Sequence, residues 1–397
     1  MKRVLVTGAG GFVGRHTLQP LLDRGCEVHA VTSKSHFADA NRTSLVNCTW
    51  HVADLLNPIQ VKTVIERSQP THLLHLAWCT TPGQYWTSEE NFHWVQASLE
   101  LLYHFREIGG QRVVMAGTCA EYDWNYGYCS ENLTPLKPNT PYGICKNALQ
   151  TLLSAYCNQT DLSSGWGRIF FAYGPYEHPK RVVSSVIQAL LKRTPIPCSH
   201  GYQIRDFLHV YDIADAFVCF LLSEQTGTVN IASGNPVTLK EIIASLTEKI
   251  GNAELIQWGA LLTADNEPPL IVADTRRLTQ EIGWLPRFSL DNGLDQTIDW
   301  WKKLLGRTSM SQFSCPICQS DSTISFLNRE QVPVHQNLVI NKQDAAIHTT
   351  RGNLYLRVCQ ECGFIFNQAF EPTKLSYEKT MIIVKPILYH LVIISKP

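Results

Sequence analysis

The stretch Val4-Leu5-Val6-Thr7-Gly8-Ala9-Gly10-Gly11-Phe12-Val13-Gly14 decides the fold: a short apolar run enters a glycine-punctuated turn, and residues able to start a helix follow. Val4, Leu5 and Val6 read as a strand buried on both faces, as a parallel sheet requires. Glycines let backbone N–H groups approach a pyrophosphate, and the next helix turns its positive N-terminus toward that charge. The spacing narrows the motif. Gly8 and Gly10 begin a G-x-G-x-x-G pattern, but Val13 stands where its last glycine falls; Thr7, Gly8, Gly11 and Gly14 instead satisfy T-G-x-x-G-x-x-G. Such a start predicts a dinucleotide site on an α/β doubly wound sheet.

The 397 residues exceed one ordinary domain and predict two or three units. Lys plus Arg balance Asp plus Glu at 34 each, so nothing global argues for nucleic acid or an anionic membrane. The first apolar run is too short for a signal-peptide core and no stretch of membrane-spanning length occurs, which predicts a cytoplasmic protein with no membrane partner. Most of the 13 cysteines, Cys26, Cys145, Cys157 and Cys219 among them, stand singly in apolar runs, where reduced Cys serves as a small core residue.

Working outward, Glu27–Thr32 reads as the second strand, whose end meets the adenosine ribose. No acidic residue stands there. Thr32-Ser33-Lys34, with Arg42 beyond, suits a 2′-phosphate and favours NADP over NAD. Leu73–Ala77 reads as a fourth strand, Val95–Ile108 as a helix stopped by Gly109-Gly110, and the aromatic-rich loop Trp78–Trp94 between them receives no role. Val113–Thr118 reads as a fifth strand ending in a hydroxyl. Tyr142 and Lys146, four apart after Pro141, project from one helix face. A free phenol has a pKa of about 10, and a neighbouring ammonium is expected to lower it toward the working range of a proton-transfer group.

Together these residues resemble the extended branch of the short-chain dehydrogenase/reductase superfamily, which includes nucleotide-sugar epimerases, dehydratases and reductases. The resemblance implies a Rossmann doubly wound parallel sheet, mainly cofactor-binding over 1–165, with a smaller interleaved substrate-binding part over 166–305. It places the cofactor on Thr7, Gly8, Gly11, Phe12, Val13 and Gly14. It also implies that the third-strand segment His51–Leu55 sets Asp54 and Leu55 near the adenine, and that His75-Leu76-Ala77 lines the cofactor through His75 and Ala77. Tyr142 becomes the acid/base, Lys146 its tuner and cofactor-ribose ligand, and Thr118 the hydroxyl that steadies charge on the substrate oxygen. Arg168 heads an R-x-x-x-x-Y-G-P segment. Arg205, in Arg205-Asp206-Phe207-Leu208-His209-Val210, is implied to contact a nucleotide-sugar diphosphate. A second phosphate arginine is absent from the neighbourhood Thr263-Ala264-Asp265, and Asp274, Leu278, Gly283-Trp284 and Pro286 resemble the closing motif of the branch.

One departure narrows the reaction. Members that dehydrate sugars carry Asp-Glu after the hydroxyl residue, whereas Cys119-Ala120 follow Thr118 here. Glu121, in an extended segment, is expected to point to the opposite face. The first reading is 4-keto reduction of a nucleotide-activated sugar; the alternative is C4 epimerisation, and a reading of another class is a cofactor-binding scaffold with a zinc-mediated partner site.

Beyond a linker at 306–312, Cys315-Pro-Ile-Cys318 and Cys359-Gln-Glu-Cys362 suit tetrahedral zinc in a small module at 313–380. Closed coordination by four thiolates would be structural. This segment resembles, through Cys315, residues 333–337 and residues 362–367, the zinc-binding N-terminal module of sugar C-methyltransferases. With no glycine loop following in the irregular tail 381–397, the reading is a truncated fusion linked to a sugar methyltransferase. A homodimer is compatible with all of this.

Overall fold

The computed structural model describes residues 1–33, 47–263, 267–309, 315–318, 320, 322–334, 344 and 349–371. The chain divides into two compact units, Met1–Lys303 and Leu304–Pro397.

The first unit runs β1 (Arg3–Thr7), α1 (Gly14–Asp23), β2 (Glu27–Thr32), β3 (Cys48–Val52), α2 (Pro58–Ser68), β4 (His72–His75), α3 (Glu90–Glu107), β5 (Arg112–Thr118), β6 (Tyr128–Cys129) and α4 (Pro141–Asn158). It continues with β7 (Ser163–Ile169), β8 (Phe171–Tyr173), α5 (Val182–Lys192), β9 (Ile196–Pro197), β10 (Ile204–His209), α6 (Val210–Leu222), β11 (Gly227–Ile231) and β12 (Pro236–Thr238). Then come α7 (Leu239–Ile250), β13 (Ile256–Gln257), β14 (Leu270–Ala273) and α8 (Leu290–Ser309), of which Leu290–Lys303 fall in this unit. Seven strands form one parallel sheet in the order β11-β7-β5-β4-β1-β2-β3. Strand order reverses at β1, so its carboxyl end, where Gly8 follows, is the topological switch point at which ligands bind in such sheets.

Both faces of the sheet are covered, which is why its strands read as unbroken apolar runs. On one face Leu18 and Leu21 of α1 and Ile213, Phe217 and Phe220 of α6 pack on Val4, Val6 and Val114. On the other, Val61 and Ile65 of α2, Leu101 and Phe105 of α3 and Leu149 of α4 pack on Leu5, Leu73 and Val113. A smaller sheet, β12-β10-β14-β6 with β8 also paired to β10, is interleaved with the large one in sequence and carries Arg205.

Several boundaries differ from the sequence reading; the fourth strand, read over Leu73–Ala77, lies at His72–His75. The third strand lies at Cys48–Val52, so Asp54 and Leu55 follow it instead of ending it. α3 begins at Glu90, within the aromatic-rich loop. α8 runs to Ser309, so Gly306–Ser309, read as linker, belong to a helix. Glycine costs a helix interior only about 1 kcal/mol, too little to stop one by itself.

The second unit contains β15 (Thr323–Pro333), β16 (Arg351–Cys359) and β17 (Ile365–Asn367), an antiparallel sheet in that order. The tail 381–397 and the segment 335–337 lie outside the described residues.

Candidate active site

The turn after β1 depends on close backbone approach. Gly8 adopts φ +67°, and a Cβ there would stand 2.8 Å from the Ala77 nitrogen; at Gly14 one would stand 2.1 Å from the Gly8 carbonyl oxygen. Side chains are excluded at both positions. The Gly11 N–H donates to the Gly8 carbonyl at 2.8 Å, and α1 starts without a side-chain cap. A helix start of that kind suits the pyrophosphate of a dinucleotide. Phe12 and Val13 are half-buried on the turn.

The Thr7 hydroxyl meets His75 Nδ1 at 2.7 Å, and His75 Nε2 meets the Ser98 hydroxyl at 2.8 Å. Burial holds the imidazole down to about 3, so His75 is a neutral link between β1, β4 and α3. Ala77 is buried against Gly8. Asp54 is exposed and its carboxylate accepts from the Leu56 N–H at 3.0 Å, while Leu55 is buried. Lys34 and Arg42, which carried the NADP reading, lie outside the described residues, as do Ala264 and Asp265.

Thr118 ends β5 and caps a one-turn 3-10 helix, Cys119–Glu121. The Ala120 N–H donates to its hydroxyl at 3.2 Å, and its own N–H donates to the Glu121 carboxylate at 2.8 Å. This reciprocal capping box favours a turn over the extended run expected from sequence. The turn swings Glu121 inward. Fully buried, it accepts from Trp166 Nε1 at 3.0 Å and from Arg168 Nε at 2.7 Å. Glu121 therefore answers the buried charge of Arg168.

Tyr142 enters at the start of α4, where Pro141 occupies the first turn and the Thr140 hydroxyl accepts the Gly143 N–H at 3.2 Å. The Thr118 side chain acts on the Tyr142 phenol and favours the phenolate. Lys146, one turn on, donates to the Ala116 carbonyl at 2.8 Å, with its ammonium 3.7 Å from the Trp78 ring centroid. The net shift of the phenol is upward. Burial is the largest influence and raises the phenol above its ordinary value, against the opposing influence of Thr118. Burial also pushes the Lys146 ammonium down to about 7, with the Glu121 charge opposing. Both groups sit in a low-dielectric pocket that disfavours their charged forms.

The aromatic loop left without a role closes over this pair. Tyr85 and Trp86 meet the Tyr142 ring edge-on, with centroids 4.9 and 5.7 Å away, and the Trp86 carbonyl accepts the Tyr142 N–H at 3.2 Å. Trp124 meets Trp86 at 6.2 Å. The density of tryptophan between a strand and a helix was the available signal for this wall. Arg205 is buried on β10, donates to the Ile204 carbonyl at 2.9 Å and pairs with Glu267, a partner that sequence reasoning missed. Its charge acts on the Cys119 thiol, next to Thr118. Thr118 at the end of β5 and Tyr142 and Lys146 on α4 are thus buried together, with the Arg205 charge felt at Cys119 beside Thr118.

Residues 4–232 match the model of the NAD dependent epimerase/dehydratase family. The chain belongs to that family. It is accordingly an NAD(P)-dependent enzyme of the short-chain dehydrogenase/reductase type. It is 26% identical over 306 residues to CDP-abequose synthase of Salmonella typhimurium, covering 74% of this chain and 97% of that protein. It is also 26% identical over 316 residues to UDP-glucuronate 4-epimerase of Thermodesulfobacterium geofontis, covering 75% and 96%. The structure of Thermus thermophilus UDP-glucose 4-epimerase in complex with NAD superposes with a TM-score of 0.66 at 26% identity, covering 76% of this chain and 99% of that one. Family membership rests on the first unit. Among the described residues no helix is long and apolar enough to cross a membrane.

In the second unit, outside the family match, Cys315, Cys318, Cys359 and Cys362 place their sulfur atoms within 4.8 Å of one another. Cys315 and Cys362 are 3.6 Å apart and Cys318 and Cys359 3.5 Å. Four thiolates at about 2.3 Å from a tetrahedral zinc stand about 3.8 Å from one another, so the donor set fits that ion. Backbone turns aim the pairs: the Cys315 N–H donates to the Ser320 carbonyl and the Gly363 N–H to the Cys359 carbonyl, both at 2.9 Å.

Proposed function

We propose that this chain inverts the C4 carbinol of a nucleotide-activated sugar by reversible oxidation and reduction, with NAD or NADP as cofactor. The observation that carries the reading is the placement of three buried side chains, Thr118 at the carboxyl end of β5 and Tyr142 and Lys146 one turn apart on α4, with Lys146 Nζ 2.8 Å from the Ala116 carbonyl of β5. Inverting a carbinol without breaking its C–O bond requires a hydride to leave and return on the opposite face. Bound NAD(P) supplies the acceptor and donor of that hydride. Tyr142 takes the hydroxyl proton as the carbonyl forms and returns it on reduction; Thr118 hydrogen-bonds the same oxygen and steadies its charge. The Lys146 ammonium supports the phenolate form, which burial alone would disfavour. Tyr85, Trp86 and Trp124 keep water from the reacting carbon, and Arg205 offers its guanidinium to a diphosphate. Glu121 is engaged by Arg168, so no carboxylate in the turn is available to eliminate water.

The 4-keto reduction read first from the sequence uses the same residues in one direction only. Two of the relatives above are 4-epimerases, which favours the full cycle over reduction alone. The deciding experiment incubates purified protein with UDP-glucose, UDP-glucuronate and 4-keto nucleotide sugars, with NAD(H) and NADP(H) in parallel. A C4 epimer formed without net change in cofactor absorbance supports epimerisation. Stoichiometric oxidation of reduced cofactor on the keto sugars alone assigns reduction, and no reaction with any nucleotide sugar overturns the substrate class. Tighter binding of NADPH than NADH would support the reading of Thr32-Ser33-Lys34.

For the second unit, the sulfur geometry supports one structural zinc ion held by Cys315, Cys318, Cys359 and Cys362, with no open position for catalysis. A kinship with the zinc-binding module of sugar C-methyltransferases rests on sequence resemblance alone.

A further inference from the structure

The buried ammonium of Lys146 has a neighbour that the reaction does not account for. We propose that Trp78 is its positioning residue: the indole face fixes Lys146 Nζ inside the aromatic wall and favours its charged state over the neutral amine. Trp78 follows directly on Ala77, the residue that closes over Gly8, and its ring centroid is 3.7 Å from Nζ. The face of an indole carries negative quadrupole density and holds a cation most strongly where water is excluded. Lys146 is in such a place. It is buried, and it donates to the Ala116 carbonyl of β5.

Other groups face it as well, and the Glu121 charge also favours the ammonium. Glu121, from the turn after β5, is engaged by Trp166 and Arg168. His75, from β4, has both ring nitrogens occupied by Thr7 and Ser98 and stays neutral. Tyr142, on the same helix, is raised by burial, and the Trp166 ring of β7 lies 6.0 Å away. Trp78 is therefore the nearest aromatic face.

Its ring is also fixed. Trp78 Nε1 donates to Asn91 Oδ1 at 2.9 Å, and the buried Asn91 amide donates in turn to the Tyr85 and Ser88 carbonyls, both at 2.8 Å. Trp94 stacks behind it at 6.1 Å with the planes 29° apart. The same amide thus ties the ring over Lys146 to the loop that carries Tyr85 against Tyr142.

The proposal rests on the place given to Lys146 in the reaction, but its test needs neither sugar nor cofactor, so a wrong substrate class leaves the outcome standing. In full-length protein labelled with 13C-lysine, the Lys146 signal, assigned by its loss in Lys146→Met, is followed against pH by NMR. Removing the π face withdraws support for the cation, so in Trp78→Leu the midpoint should fall by about one pH unit, and in Trp78→Phe, with a weaker quadrupole, by about half as much. Asn91→Ser, which frees the ring but keeps it, should give a smaller fall than Trp78→Leu. An unchanged midpoint in the Trp78 variants, or a rise as water enters the vacated space, would overturn the proposal. If Trp78→Leu does not fold, Trp78→Phe decides: a wild-type midpoint there has the same overturning force.

Discussion

The two units hold themselves together by different means. In Met1–Lys303, Val4, Leu5, Val6, Phe217 and Phe220 are entirely removed from water, and each such side chain contributes about 1.5–3 kcal/mol. In the second unit Ile317, Ile324, Phe326, Phe364, Ile365 and Phe370 remain exposed, and among its described residues the buried apolar ones are Cys315 and Cys359. Apolar composition alone therefore does not distinguish a core from a surface; the placement of the side chains does. Where a sheet is covered on both faces, burial supplies the stability and ligand chemistry can be added at its carboxyl edge. In the second unit, among the described residues, four sulfur atoms at zinc-like spacing are the candidate stabilising device.

The largest test of this contrast removes the metal ligands. Structural zinc contributes on the order of 10 kcal/mol to small modules. Cys359→Ser should release one zinc per chain and leave residues past Cys315 open to proteolysis, while the first unit keeps its unfolding transition and its activity. Metal analysis and limited proteolysis on the same sample check both halves. Activity lost in proportion to zinc would join the two units in one function and end the comparison.

Next in size is the reaction itself. Tyr142→Phe removes the proton carrier and leaves the ring packed against Tyr85 and Trp86, so turnover should fall by ~10²–10⁴ while cofactor binding and zinc content stay unchanged. Steady-state rates beside a cofactor titration separate these effects. A variant within a factor of two of wild type would move the proton transfer elsewhere.

How far the sequence could be read follows from how local each feature is. Gly8, Gly11 and Gly14 were legible because the turn forbids side chains within a few residues of chain, and Tyr142 with Lys146 because four residues make one helical turn. Glu121 was not. Its direction depends on a three-residue turn set by the Thr118 capping box and on Arg168, which comes from another strand. Burial around the phenol is not legible for a related reason, since spacing brings an ammonium near but does not report how much water both groups lose. Lys34 and the tail beyond Met381 lie outside the described residues, so the cofactor and fusion readings drawn from them stay at sequence level. Glu121→Gln measures the misread feature. It leaves the Arg168 charge uncompensated in the core and should cost the first unit about 3–5 kcal/mol, seen as a lower urea midpoint with zinc retained. A loss below about 1 kcal/mol would mean the pair is replaceable and the turn is held by its backbone alone.

The smallest effect comes from a carboxyl group far from the glycine turn. Glu177 is buried, its Oε2 accepting from the Ser184 hydroxyl at 2.6 Å, and Ser184 Oγ in turn accepts from Trp301 Nε1 at 3.3 Å. Burial raises this carboxyl from its ordinary 4.5 to about 7, against the Ser184 hydrogen bond and the Arg181 charge. Between those two values the folded chain holds a proton that the unfolded chain has released. The stability that this proton represents is fully present below pH 4.5 and is lost as the pH rises through 7. Glu177→Gln keeps the shape and the hydrogen bond but has no charge to bury. It should be close to neutral at pH 5 and should stabilise the first unit by about 2 kcal/mol at pH 8, read from urea unfolding at the two pH values. The second unit should not respond, because its order is assigned to sulfur ligation and not to this core. Equal effects at both pH values would show that Glu177 is ionised in the fold throughout, and the first unit would then tolerate a buried charge that its packing argues against.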